Sequence, residues 1–234
     1  MIPAFIVLAT VSSYAVAWTI GIPLLVPVLN TLAGFPFMVA ALRGGGVGLA
    51  IARMLVWALT LAACATLLSY ARPAPTDALF LRGASYRTEM FAWVMTGRGE
   101  ESEPSRFIPQ QAAHAAVFAA LALVSGGVVA LAMGAVLMNY MGHYVGALAA
   151  ASAHPLATMA LAWHPWAVIR IVSFVAIGVI LAAPLLSRLG GFQVDPRASR
   201  RVLLWAGAGL VADVVLKSLL APAWGRLLLR VVGW

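Results

Sequence analysis

The sequence predicts an all-α transmembrane bundle of six spans, or seven if residues 22–42 form one of their own as a short or re-entrant segment. Three observations carry this expectation. Met1 to Leu42 and Phe107 to Ile169 contain no Asp, Glu, Lys or Arg. Of 234 residues, 63% are hydrophobic and 9% charged, whereas soluble domains carry roughly 25% charged residues. Mean hydropathy is +0.99. A bilayer takes about 20 apolar residues per helical span, and backbone polar groups in lipid need partners within the same segment or barrel. Runs of this length therefore fold back and forth as helices, and residues 1–234 read as a single integral membrane domain.

The first span is expected at about Ala4 to Val28. Pro23 and Pro27 kink or end it, because proline removes a helix hydrogen bond and clashes with the preceding turn. The second follows the glycines Gly44 to Gly46 and covers about Val47 to Tyr70. The third is expected at about Gln111 to Tyr140, a length that tilts or protrudes, with Ser125-Gly126-Gly127, Ala130 and Gly134 read as close helix packing. The fourth is expected at Tyr144 to Trp163 after a turn at Gly142. Pro165 opens the fifth, about Trp166 to Ser187. The sixth covers about Val202 to Ala221 and is closed by Pro222. The tail Trp224 to Trp234, with Arg226 and Arg230 among leucines and valines, reads as an interfacial amphipathic segment. Trp163, Trp166, Trp205, Trp224 and Trp234 fall at span ends, as in an aromatic belt.

The only polar stretch, residues 72–110, is expected to be an extramembrane loop. Within it, Thr76-Asp77 opens an amphipathic helix over about Ala78 to Met95, lying on the membrane or on the bundle. Gly97 to Pro109 reads as acidic and exposed.

The net charge of +8 does not indicate nucleic acid, because 14 Arg and one Lys are dispersed over several loops. Their partner is the bilayer. Alternation places Arg43, Arg188, Arg197, Arg200 and Arg201 on one side, expected to be cytoplasmic because the first span has Arg43 only after it. The Arg bias points to a GC-rich bacterial genome, hence a bacterial cytoplasmic (inner) membrane. Met1 to Trp18 lacks a basic leader, so it reads as a span rather than a signal peptide. The single cysteine, Cys64, reads as a small buried hydrophobe.

Candidate functional residues follow from the cost of charge in hydrocarbon. Asp213 and Lys217 share one helix face at i, i+4. Asp213 lies roughly 18 Å from the arginine end of its span at 1.5 Å per residue. A self-neutralising Asp213–Lys217 pair and an ion-coupled site are the two readings, with Arg170 the alternative partner if the fifth and sixth spans are antiparallel. Arg53 and Arg170 lie near span ends and are expected to snorkel. Met138, Met141 and His143 offer thioether and imidazole ligands suited to Cu(I), provided a turn at Gly142 brings His143 back. His114 and His154 are the intramembrane histidines that a bis-histidine haem would need. No metal or haem is predicted, because filler methionines and membrane-edge histidines explain these residues.

In the polar loop, Glu89, Glu100 and Glu101 are the acidic candidates. Glu100, Glu101 and Arg106 resemble the EExxxR motif of membrane-embedded CAAX-type proteases, which use glutamates and histidines to activate water. The spacing is one residue longer here, and no FxxxH surrounds His114, so a solvated acidic loop is expected. No GxSxG, HExxH, Walker A or dinucleotide motif is present. Three classes of function remain. One is a transporter, channel or permease-type subunit for a small solute or ion. Another is a structural or assembly subunit of a larger membrane complex, with other subunits or a second copy as partners. The third is an intramembrane enzyme or haem/copper redox subunit.

Overall fold

The computed structural model describes residues 1–44 and 46–234. It is all-helical among the described residues: α1 (Ile2–Ile20), α2 (Leu25–Ala71), α3 (Pro73–Leu79), α4 (Gly83–Thr96), α5 (Pro104–Ser125), α6 (Val128–Ala150), α7 (Pro155–Ala162), α8 (Pro165–Gly190) and α9 (Pro196–Val232). Helix α2 is broken at Gly46, whose φ of 77° and ψ of −171° are open to glycine alone. Its limbs, Leu25–Gly44 and Gly46–Ala71, are separate spans, which brings the number of helices able to cross a bilayer to seven. The protein is a polytopic integral membrane bundle, and residues 22–42 contribute a span of their own.

Three pairs of neighbouring spans form antiparallel hairpins. In α2, Trp57 Nε1 donates to the Asn30 carbonyl at 2.9 Å and Arg53 to the Phe37 carbonyl at 3.3 Å, so the limbs fold back on each other. Gly126 and Gly127, with φ of 61° and 89°, turn α5 into α6. Expecting one long helix over Gln111 to Tyr140 was therefore wrong: the glycines make a turn between spans, not a packing contact within one. Conversely, α6 runs through Gly142 to Ala150 without a turn, so a span over Tyr144 to Trp163 does not form. The third hairpin joins α8 and α9.

The core is built on α6 and the second limb of α2, which run parallel. Gly142 lies against Ala62, Ala65 and Thr66, and Gly146 one turn on lies against Thr66, Ser69 and Tyr70. A Cβ on Gly142 would stand 2.6 Å from that of Ala65, so small residues let these helices approach closely. Across this contact Asn139 donates to Asn30 Oδ1 at 3.1 Å, Asn30 donates to Ser13 Oγ at 2.8 Å, and Tyr14 donates to Asn139 Oδ1. All four side chains are buried, and each satisfies another in place of water.

The connection between α2 and α5 carries two helices rather than one. Arg82, with φ of 52°, breaks the segment expected at Ala78 to Met95 into α3 and α4. Helix α4 buries Met90, Trp93 and Val94 against α6 and α9, which accounts for its apolar density. Helix α9 does not stop at Pro222 but continues to Val232. Its last turns are not a separate interfacial segment: Leu228 and Val232 are buried, and Ala153 N donates to the Val232 carbonyl at 3.0 Å. Trp166, expected in an interfacial belt, is wholly buried, whereas Trp205 is exposed.

Candidate functional site

Helices α8 and α9 lie in register because Gly209 has no side chain. The Ser173 hydroxyl of α8 occupies the space a Cβ there would fill. One turn further along each helix, this register sets Arg170 opposite Asp213. Arg170 Nε and Nη2 donate to Asp213 Oδ2 and Oδ1 at 2.9 and 3.2 Å, a two-pronged pair. Gln111 of α5 donates to the same carboxylate. Asp213 is fully buried and Arg170 partly so. Arg170 therefore binds a carboxylate instead of snorkelling, and Asp213 faces the bundle interior.

The i, i+4 pair of Asp213 with Lys217 does not form. Lys217 is instead bound 3.0 Å from Glu101 Oε2 and sits 4.4 Å above the Phe107 ring. Expecting a solvated loop at Glu101 was wrong. Gly97 and Gly99, with φ of 67° and 139°, let the α4–α5 connection turn inward, and Ser102 Oγ donates to the Gly97 carbonyl at 2.7 Å to close that turn. Burial pushes the Glu101 carboxyl up, but Lys217, Arg170 and His164 outweigh it and hold it below the ordinary carboxylate range. Glu89 and Glu100 stay exposed.

Beside this cluster lies a cavity of about 150 Å³ between the second limb of α2, α5, α6 and α8. Its polar end is formed by Tyr86, Gln111, His114, Tyr140 and Arg170. Its apolar end is formed by Phe118, Ala130, Gly134 and Gly178. Gln111, one of the lining residues, has its Oε1 buried without a hydrogen-bond partner among the described residues.

A second polar chain ties α2 and α6 to the α3–α4 pair. Ser69 Oγ lies 2.8 Å from His143 Nδ1, His143 Nε2 lies 2.8 Å from Asp77 Oδ1, and Arg87 binds Asp77 through Nε and Nη2 at 2.9 and 2.7 Å. The order Ser, His, Asp matches a hydrolase triad, but the surroundings do not. Ser69 is fully buried in the α2–α6 contact, where even a Cβ on Gly146 would approach Ser69 Cβ to 2.8 Å. No acyl group fits beside that hydroxyl. The chain is a clasp that holds α3 and α4 against the bundle.

No family model, curated protein or solved structure matches the chain. Its reading rests on this geometry. Met138 and Met141 line the cavity, whereas His143 points the other way into the clasp, so the three potential copper ligands do not converge. His114 lines the cavity, and His154 is exposed before α7. Among the described residues, no group of three or more His, Cys, Asp or Glu side chains is placed to hold a metal ion. Arg53 is held by the Phe37 carbonyl, away from the charged cluster.

From the sequence, His164 is one of four histidines weighed for haem and set aside as a membrane-edge residue. Its ring stacks on Trp166 at 4.7 Å and meets Trp93 edge-on at 5.4 Å. Burial lowers its pKa to about 4, and Arg170 and Lys217 reinforce this against the opposing effect of Glu101. Sequence reasoning missed Gln111, Tyr86 and Tyr140, because neutral side chains near span ends carry no signal of their own.

Proposed function

We propose that this chain is a permease-type membrane protein that moves a small solute or ion, with Arg170 and Asp213 as its coupling pair. The observation that carries the reading is an ion pair buried between two spans at the polar end of a cavity. A charge at that depth costs free energy unless paired. A pair beside a cavity can exchange its partner for a proton or a solute. Glu101 and Lys217 act as a gate, since the glutamate comes from a connection and the lysine from a span. The protein sits in a bacterial cytoplasmic membrane, with Arg43 and the Arg188 to Arg201 group facing the cytoplasm.

The second reading is a non-catalytic subunit of a larger complex. It draws on the outer face of α9, where Leu204, Trp205 and Leu219 are 67–74% exposed and could meet another helix instead of lipid.

The purified protein in vesicles, with a pH-sensitive dye inside, separates the two. Under the permease reading an imposed pH gradient decays faster than in empty vesicles, and Asp213→Asn slows that decay at least tenfold at equal protein content. A variant that reconstitutes poorly yet leaves flux per molecule unchanged selects the structural reading.

A further inference from the structure

The cavity beside Arg170 has two chemically different ends. Along α6, its lining runs from Tyr140 to Ala130, about 15 Å at 1.5 Å per residue. The far end carries no polar side chain: Phe118, Ala130, Gly134 and Gly178 form it. A cavity near 150 Å³ with apolar walls accommodates a body the size of benzene, about six carbons.

The polar end offers donors and one unmet acceptor. Tyr86, Tyr140 and His114 line it with Arg170. Gln111 spends its amide N–H on Asp213, which leaves Oε1 buried without a donor. A buried acceptor without a donor costs about 1–3 kcal/mol. Arg170 is already neutralised by Asp213, so the site does not demand a full negative charge. It asks for a head group that accepts from Arg170 or the phenols and donates to Gln111. A protonated carboxyl does both: its carbonyl oxygen accepts, and its O–H donates. A carboxylate accepts only and a hydrocarbon does neither; a primary carboxamide also does both, but its binding would not change with pH.

We propose that this cavity binds a monocarboxylic acid with a compact apolar body of about six carbons, in its protonated form. The apolar body lies against Phe118 and Gly134, and the carboxyl lies between Arg170 and Gln111. The proton comes from bulk water and travels with the acid, so no other reactant is needed. For transport, the proposal rests on the permease reading; for binding, it does not.

Equilibrium dialysis of the purified protein in detergent, with radiolabelled benzoate, tests it. Benzoate is expected to bind at least tenfold more tightly than benzene, with affinity rising as pH falls through the acid's own pKa, whereas binding of benzamide should not change with pH. Gly134→Leu fills the apolar end and should weaken binding at least tenfold. A Cβ at Gly134 meets only Phe118, at 3.8 Å, so Gly134→Ala folds normally and should weaken binding two- to threefold. Equal binding of benzene and benzoate, or no effect of Gly134→Leu in a protein with unchanged unfolding temperature, overturns the proposal. So does affinity that climbs steadily from hexanoate to hexadecanoate, which would make the cavity a crevice for lipid chains. Proton flux without benzoate binding removes the acid and keeps the permease. Benzoate binding without flux keeps the site and removes the permease.

Discussion

The bundle contains two halves that keep polar groups away from lipid by different means. Where α1, α2 and α6 meet, Tyr14, Asn139, Asn30 and Ser13 are joined by hydrogen bonds between neutral groups, beneath helices pressed together at Gly142 and Gly146. Where α5, α8 and α9 meet, Arg170, Asp213, Lys217 and Glu101 form ion pairs beside a cavity. The neutral network keeps the same charge over the physiological pH range, so it acts as scaffold. The charged half changes its interactions whenever a proton enters or leaves. Rigidity and responsiveness are thus assigned to opposite sides of one molecule, and the choice of side chain separates them.

The largest expected effect breaks the charged half. Arg170→Leu leaves the buried Asp213 carboxylate with Gln111 alone and should cost about 3–5 kcal/mol near neutral pH. Part of that loss should return in acid, where Asp213 takes up a proton. Chemical unfolding in detergent at two pH values measures both, and a loss independent of pH would contradict the assignment of charge to this half.

The wild-type protein should itself weaken in acid. His164 titrates near 4 rather than its ordinary 6.5, so below pH 6.5 the unfolded chain binds a proton that the folded one does not. Stability should fall from pH 6.5 to about 4, in total by roughly 3 kcal/mol. Glu101, held below its ordinary value by Lys217 and Arg170, adds to the loss as pH falls through its folded value. His164→Asn should flatten the upper part of the profile, and an unchanged profile would rule His164 out as its source.

Smaller effects belong to the scaffold. Gly146→Ala sets a Cβ 2.8 Å from Tyr70 N and should cost about 1–3 kcal/mol by overpacking. Unlike the Arg170 variant, it should lose the same amount at every pH, as seen in unfolding midpoints. The smallest effect is expected at the exposed Arg106–Glu103 pair. Arg106→Ala should move stability by less than about 0.5 kcal/mol, even at low salt.

How far these halves were legible in the sequence depends on what breaks a helix in lipid. The break near Pro23 was legible, but Gly21 in the left-handed region ends α1 before that proline, and Pro27 sits in the first turn of α2 rather than closing the first span. Gly126-Gly127 and Pro222 were misread in opposite directions. Glycine and proline are both tolerated inside transmembrane helices, where neighbouring segments satisfy the freed backbone. Only three-dimensional packing decides whether such a residue turns the chain or stays in line. Asp213 and Arg170 were legible because depth makes any charge conspicuous, and a short connection implies an antiparallel hairpin. Glu101 was not, since nothing in a glycine-bearing acidic stretch announces that one carboxylate folds inward. The Ser69–His143–Asp77 clasp joins residues from three elements and leaves no local pattern.

The placement of the charged residues along the chain also has a consequence for synthesis. Glu101 and Arg170 leave the ribosome well before Asp213 and Lys217, the partners they pair with in α9. Until the last helix is inserted, the membrane machinery holds a half-built bundle with two unmatched charges of opposite sign. Arrival of α9 cancels both at once. Insertion of this helix is therefore the step that completes the charge balance of the bundle.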